Sequence, residues 1–289
     1  MIIEKLIKGN NPNDISVVVD KTINEINIKK DGRYHYIYNH DAIETKKVSI
    51  KIENNLNVDI FEYHIINNEN NTATFSINFL IGNNSLVNYN VINNNCLLKT
   101  NKSLNFDLSE NSILNTYMLE LGSNTNSQYN INLNETRSCV DFNLMVYTDQ
   151  NIDQRHNVSI NHLKEYTTSN MNNHGVITDE SNCEFDVKSF IKKGSIKSNA
   201  YQTSKILTLS DKCTSKINPQ LLIDEHDVVG GHAATSGRVS EEIMYYMQSR
   251  GIEKELVNKI IAIGNLSKNI PVSLIETLTE ELERRIDHE

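Results

Sequence analysis

From about Ile15 to Asp224 the chain keeps returning to one arrangement: a short β-forming run, then a polar turn, with no helical period between runs. Ile15-Ser16-Val17-Val18-Val19, Thr74-Phe75-Ser76-Ile77-Asn78-Phe79-Leu80, Tyr129-Asn130-Ile131-Asn132-Leu133 and Val158-Ser159-Ile160-Asn161-His162-Leu163 are examples. Several alternate apolar and polar residues, the period of a strand with one buried face. The turns are rich in Asn, Ser, Asp and Gly, which tolerate left-handed backbone or bond to their own main chain. Some two hundred residues of strands without crossover helices leave a sandwich, a barrel or a solenoid. The heavy use of Asn favours the solenoid, because Asn suits tight corners and stacks in ladders between coils. An AT-rich genome would also enrich Asn.

Hydrophobic residues are 38% of the 289, low for a globular chain, but charged residues are only 22% and there are 3 Pro and 11 Gly. Together with the many Ile, Val, Leu, Tyr and Phe runs, this describes a folded, Asn-rich protein rather than a disordered one. A net charge of -9 argues against a surface that tracks nucleic-acid phosphates, which requires clustered Lys and Arg. Met1-Ile2-Ile3-Glu4-Lys5-Leu6-Ile7-Lys8 is too short and too charged for a signal peptide. No stretch approaches the roughly 20 apolar residues that span a bilayer, so the expectation is a soluble, cytoplasmic protein. The cysteines, Cys96, Cys139, Cys183 and Cys213, form no CxxC pair and read as four free thiols.

After Ser240 the period changes. Ser240 is an N-cap followed by Glu241 and Glu242, whose carboxylates complement the helix dipole. That helix is predicted to end near Ser249, with Gly251 at the C′ position. A second is predicted from about Glu253 to Ile263, with Leu256, Ile260 and Ile263 on one face. Pro271 marks a third start, and Leu274, Ile275, Leu278, Leu282 and Ile286 give its stripe. The chain therefore divides into a β region, 1–235, and a helical region, 236–289.

Catalytic signatures are missing. Gly122 stands alone and Gly230-Gly231 is only a pair, so neither a P-loop nor a dinucleotide fingerprint is present. There is no G-x-S-x-G elbow and no H-E-x-x-H. Asp224, Glu225 and Asp227 could form an acid/base set of the kind found in β-helical polysaccharide-cleaving enzymes, although consecutive carboxylates at a strand end more often form a solvated turn. Absence of Trp also speaks against a carbohydrate-active enzyme. What remains is a soft-ligand set: His226 and His232, with Cys213 one or two strand passes upstream, a combination suited to iron or zinc. Residues one solenoid coil apart stack at about 4.8 Å, so such ligands could converge across coils.

The region around His232 resembles the C-terminal core of the SufB/SufD family, scaffold proteins of the Suf iron–sulfur assembly system. His232-Ala233-Ala234-Thr235-Ser236-Gly237 and the continuation through Tyr245-Tyr246 to Ser249-Arg250-Gly251-Ile252 follow the family pattern nearly throughout. Upstream, Ala200-Tyr201-Gln202-Thr203-Ser204-Lys205-Ile206-Leu207-Thr208-Leu209-Ser210-Asp211-Lys212 looks like the family's A-x-Q-T-N-x-N-L-L-L-S-D stretch. Asn218-Pro219-Gln220-Leu221-Leu222-Ile223 looks like its P-x-L-E-I. The specific resemblance spans about Ile152 to Ile263.

The resemblance implies a right-handed parallel β-helix followed by a small α-helical region that docks the ABC-type ATPase SufC. Glu242, Tyr245, Tyr246 and Arg250 are the residues implied for that contact. It further implies a non-catalytic scaffold paired with a SufB-like subunit or a second copy of itself, handling a transient iron–sulfur cluster and no permanent cofactor. His232 matches the proposed cluster ligand of SufD-like members, while Ser204 occupies the place of the SufB cysteine thought to receive sulfur. Ala233 stands where SufB-like members carry Glu. Cys213 matches a second cysteine position of some SufB-like members. In a homodimeric two-component system, Cys213 or Glu225 would have to join His232 as ligand.

Overall fold

The computed structural model describes residues 14–19, 23–40, 45–66, 72–94, 99–121, 123–271, 275–276, 279–280 and 283–284. Its strands alternate between two parallel sheets. One holds β1 (Ile15–Val19), β3 (Gly32–His40), β5 (Asn57–Ile66), β7 (Leu86–Asn94), β9 (Ile113–Leu121), β11 (Cys139–Thr148), β13 (Thr168–Ile177), β15 (Asn199–Thr208) and β17 (Val229–Arg238). The other holds β2 (Glu25–Ile28), β4 (Thr45–Ile52), β6 (Thr72–Ile81), β8 (Lys99–Leu108), β10 (Thr125–Leu133), β12 (Asp153–His162), β14 (Asn182–Ile191) and β16 (Thr214–Ile223). Each odd strand pairs with the next odd one and each even with the next even one. The result is the parallel β-helix. β17 runs to Arg238, and the first helix begins at Glu241.

Alternation builds the core. In β6, Ala73, Phe75, Ile77, Phe79 and Ile81 are buried while their neighbours are not. The two inner faces meet in aromatic pairs such as Phe79–Tyr89, ring centroids 4.9 Å apart, and Tyr129–Phe142 at 5.4 Å. Asn lines corners and outer faces, as the composition suggested. Asn55, Asn84 and Asn111 adopt φ near +60° at successive corners, a region this residue tolerates. Their amides form a ladder, Asn84 donating to Asn55 and Asn111 to Asn84, each at 3.1 Å. A second ladder climbs an outer face from Asn78 through Asn105 to Asn130, at 2.8 and 2.9 Å.

Alternation fails in one place for a physical reason. The C-terminal halves of β9, β11 and β13 are buried on both faces. Their outer residues Leu119, Leu121, Met145, Tyr147 and Val176, with Leu207 of β15, lie under helix α2 (Lys254–Leu266), which contributes Ala262 and Leu266. Lys205 Nζ donates to Asn265 Oδ1 at 3.2 Å and ties the helix to β15. Helix α1 (Glu241–Ser249) is capped by Ser240 Oγ, which accepts from Ile243 N. It ends before Gly251, at φ +81°. The second helix runs three residues beyond the expected Ile263, because Ala262 and Leu266 find a surface. Of the third helical stripe, Leu274, Leu278, Leu282 and Ile286 lie outside the described residues, and Ile275 packs against the α2 cluster. Cys139, Cys183 and Cys213 are free thiols, and Cys96 lies outside the described residues.

One part of the core is polar. Lys102 of β8 forms an ion pair with Glu120 of β9, both almost fully buried. Asn93 Nδ2 donates to the other Glu120 oxygen at 2.9 Å. Nearby, Tyr89 OH donates to Glu62 Oε2 at 2.6 Å, and Ser127 Oγ meets His156 Nδ1 at 2.6 Å. Burial lowers the Lys102 pKa to about 7 against the pull of Glu62. Removing one member of such a pair strands the other charge in low dielectric. Lys102→Met is expected to destabilise the fold by about 3–5 kcal/mol in urea titrations. Lys102→Met combined with Glu120→Met should recover part of that loss.

Candidate functional site

The last coil decides where chemistry is exposed. On β15 the inward residues Ala200, Gln202, Ser204 and Ile206 are buried, because β17 lies over them. No coil lies over β17 among the described residues, and the strand is exposed along nearly its whole length. His232 falls in the inward register, paired with Gln202 of β15, so its imidazole belongs to the core-facing row yet stays accessible. Its neighbours in that row are small: Gly230, Ala234 and Ser236. A Cβ at Gly230 would lie 3.1 Å from Leu221 and 3.3 Å from Ile223, so glycine lets β17 and β16 approach closely here. Leu222, Ile223 and Val229 are 48%, 43% and 51% exposed. Pro219 stands in β16, tolerated because that strand is a sheet edge.

The other expected ligands do not gather around His232. Ser215 of β16 faces Ser236 of β17, their hydroxyls 2.5 Å apart, while Gly230 faces Leu221 and Ile223. The two strands therefore run in opposite directions across the core. Cys213, just before β16, sits at the Arg238 end of β17, while His232 is four residues back from Ser236, roughly 13 Å along the strand. The Cys213 thiol is half-buried and donates to the Ser210 carbonyl at 3.0 Å. Glu225 occupies the turn between β16 and β17, where its carboxylate accepts from Gly194 N at 2.9 Å and His226 N at 2.8 Å. The hydrogen bond from Gly194, then that from His226, lower its pKa.

Asp227 pairs with Lys197 at 2.9 Å and Asp224 is exposed, so the acidic triplet forms a solvated turn. Among the described residues no group of three or more His, Cys, Asp and Glu side chains is arranged to hold a metal. Among the described residues His232 belongs to no such group. Ser204, at the position implied for the sulfur-accepting thiol, is buried and accepts from Asn173 Nδ2 at 3.1 Å.

The residues implied for the ATPase contact lie on or just after α1, which buries none of its own side chains. Tyr245 and Tyr246 are 76% and 57% exposed. The Arg250 guanidinium lies 5.2 Å from the Tyr246 ring centroid, and Glu242 is exposed in the first turn. Sequence reading passed over Gln202, the buried amide in register with His232. The signal was available: Gln202 alternates with Ala200 and Ser204 on the inward face of its strand.

Comparison with known proteins agrees with this architecture. Residues 35–265 match the family model described as SUF system FeS cluster assembly, SufBD core domain. The chain is 41% identical over 109 residues to the iron–sulfur cluster assembly protein SufD of Bacillus subtilis, covering 38% of this chain and 25% of that protein. It is 27% identical over 100 residues to SufD of Escherichia coli, covering 35% and 24%. To a SufBD family protein of Pyrococcus horikoshii it is 30% identical over 118 residues, covering 37% and 24%. The matched stretch thus spans about a quarter of the length of these relatives.

The strand register is open to a direct check. Ser215→Cys with Ser236→Cys is expected to oxidise to a disulfide, since the two side chains already touch. His232→Cys is expected to leave Cys213 unbridged within one chain, as read by mass spectrometry of the non-reduced monomer.

Proposed function

The chain belongs to the SufBD family of the SUF iron–sulfur cluster assembly system, and we propose that within it this protein is a SufD-like, non-catalytic scaffold subunit. The observation that carries this reading is the exposed last coil, with His232 on its inward row and, among the described residues, no group of three or more ligand-type side chains around it. An exposed sheet edge with apolar residues at its margin is a surface made to be paired. Here the partner is a second β-helical subunit laid end to end, and cytoplasmic assembly follows from this role. The nascent cluster is cargo held transiently at the junction. His232 supplies a neutral imidazole nitrogen, and the thiolates come from the partner.

A SufB-like partner fits better than a second copy. Two identical ends related by a twofold axis would bring two His232 side chains together. Neither would bring a thiol, because Cys213 lies at the far end of β17 and hydrogen-bonds the Ser210 carbonyl. Glu225 is likewise engaged with main-chain amides.

Helix α1 supports docking of an ABC-type ATPase such as SufC. Its exposed Tyr245 and Tyr246, with Arg250 over one ring and Glu242 nearby, form an aromatic, charge-flanked face of the sort that anchors interfaces. Helix α2 fixes this face to the outer surface of the odd sheet. Nucleotide-driven closure of the ATPase would then be transmitted to the paired open ends.

Two measurements test these roles. In the reconstituted complex, His232→Ala is expected to lower cluster formation at least tenfold, followed by absorbance, while leaving subunit assembly intact. Unchanged cluster formation would remove the histidine from the mechanism. Tyr245→Asp with Tyr246→Asp should abolish co-purification of the ATPase, and retained binding would place the contact elsewhere.

A further inference from the structure

Gln202 is 2% exposed and its side chain crosses the core. Its Nε2 donates to Ser189 Oγ at 2.7 Å and to the Gln220 main-chain carbonyl at 2.9 Å. A carbonyl oxygen can only accept, so the amide cannot be turned over: nitrogen must face Gln220. The Oε1 atom is buried and has no hydrogen-bond partner. A fixed, buried acceptor without a donor is unusual in a folded protein. One strand further, in register on the same inward row, stands the imidazole of His232, about 4.8 Å away strand to strand. Its ring is exposed on the last coil, so a rotamer change brings an N–H within reach at little cost.

We propose that Gln202 is a positioning residue for His232: its Oε1 accepts the imidazole N–H once the open end is covered, fixing the tautomer and ring orientation. The other ring nitrogen is then left unprotonated and directed out of the core. Histidines that bind metals or protons through one nitrogen are commonly held in this way through the other. The anchors are built in. Ser189 and Gln220 hold the amide nitrogen from β14 and β16, so the acceptor is placed by both neighbouring even strands. What the free nitrogen does rests on the scaffold reading above, but the contact itself does not.

The test uses the full chain labelled with 15N-histidine, alone and in complex with the partner subunit, with His232 assigned from the spectrum of His232→Gln. In the complex one tautomer of His232 is expected to predominate. In Gln202→Met the two ring nitrogens should move toward the averaged shifts of a free imidazole. In Gln202→Glu, where a carboxylate faces the ring, the His232 pKa should rise by about one unit or more. A merely structural glutamine would move neither signal. Ser204→Ala, in the same inward row, serves as the control and should leave the ring unchanged. If neither Gln202 variant alters the tautomer ratio or the titration, the proposal is overturned. A tautomer that shifts in Gln202→Met while cluster formation stays at the wild-type level would uphold the contact and overturn the ligand reading of His232.

Discussion

Hydrogen bonding of one coil onto the next is the constraint on which the rest of this protein depends. Every strand from β3 to β15 has a neighbour on both sides, which satisfies its main chain and lets its inward residues be buried. The Asn ladders at corners and outer faces repeat the same pairing with side-chain amides. Because the stack is one-dimensional, it must also end. Among the described residues, β16 and β17 have a paired neighbour on one side only.

At that end the inward row is exposed rather than buried. Farther inside, an inward histidine such as His162 is enclosed by Thr167 and Ser169, and burial lowers its pKa to about 4. His232 occupies the same kind of position one layer beyond the last cover, and so remains available to a ligand or a partner. The contrast comes from stacking alone, since both residues follow the same alternation. Cys213 shows the converse: a soft ligand type by chemistry, it is placed by strand direction at the opposite end of β17 and bonded to a carbonyl.

The helical region makes a second use of the sheet. Wherever α2 lies, the outer face must be apolar, and alternation in β9, β11 and β13 gives way to continuous burial. Anchored there, α2 leaves α1 with no buried residue and its two tyrosines in solvent. The exposed last coil and the exposed face of α1 are thus two separate surfaces of one chain.

The strand repeat, the solenoid, the change to helix at Ser240 and the cap at Gly251 were all legible along the chain, because they follow from local periods and backbone preferences. So was the family, through the residues around His232. Local pattern could not reveal which side chains meet across the core, for that depends on strand direction and coil count. It therefore left Cys213, Glu225 and His232 as one candidate set, which the fold separates. Nor could it distinguish Gln202 from any other polar residue in an alternating run. Only the tertiary structure sets that amide in register with His232, 30 positions away, and between Ser189 and the Gln220 carbonyl, 13 and 18 positions away across the core.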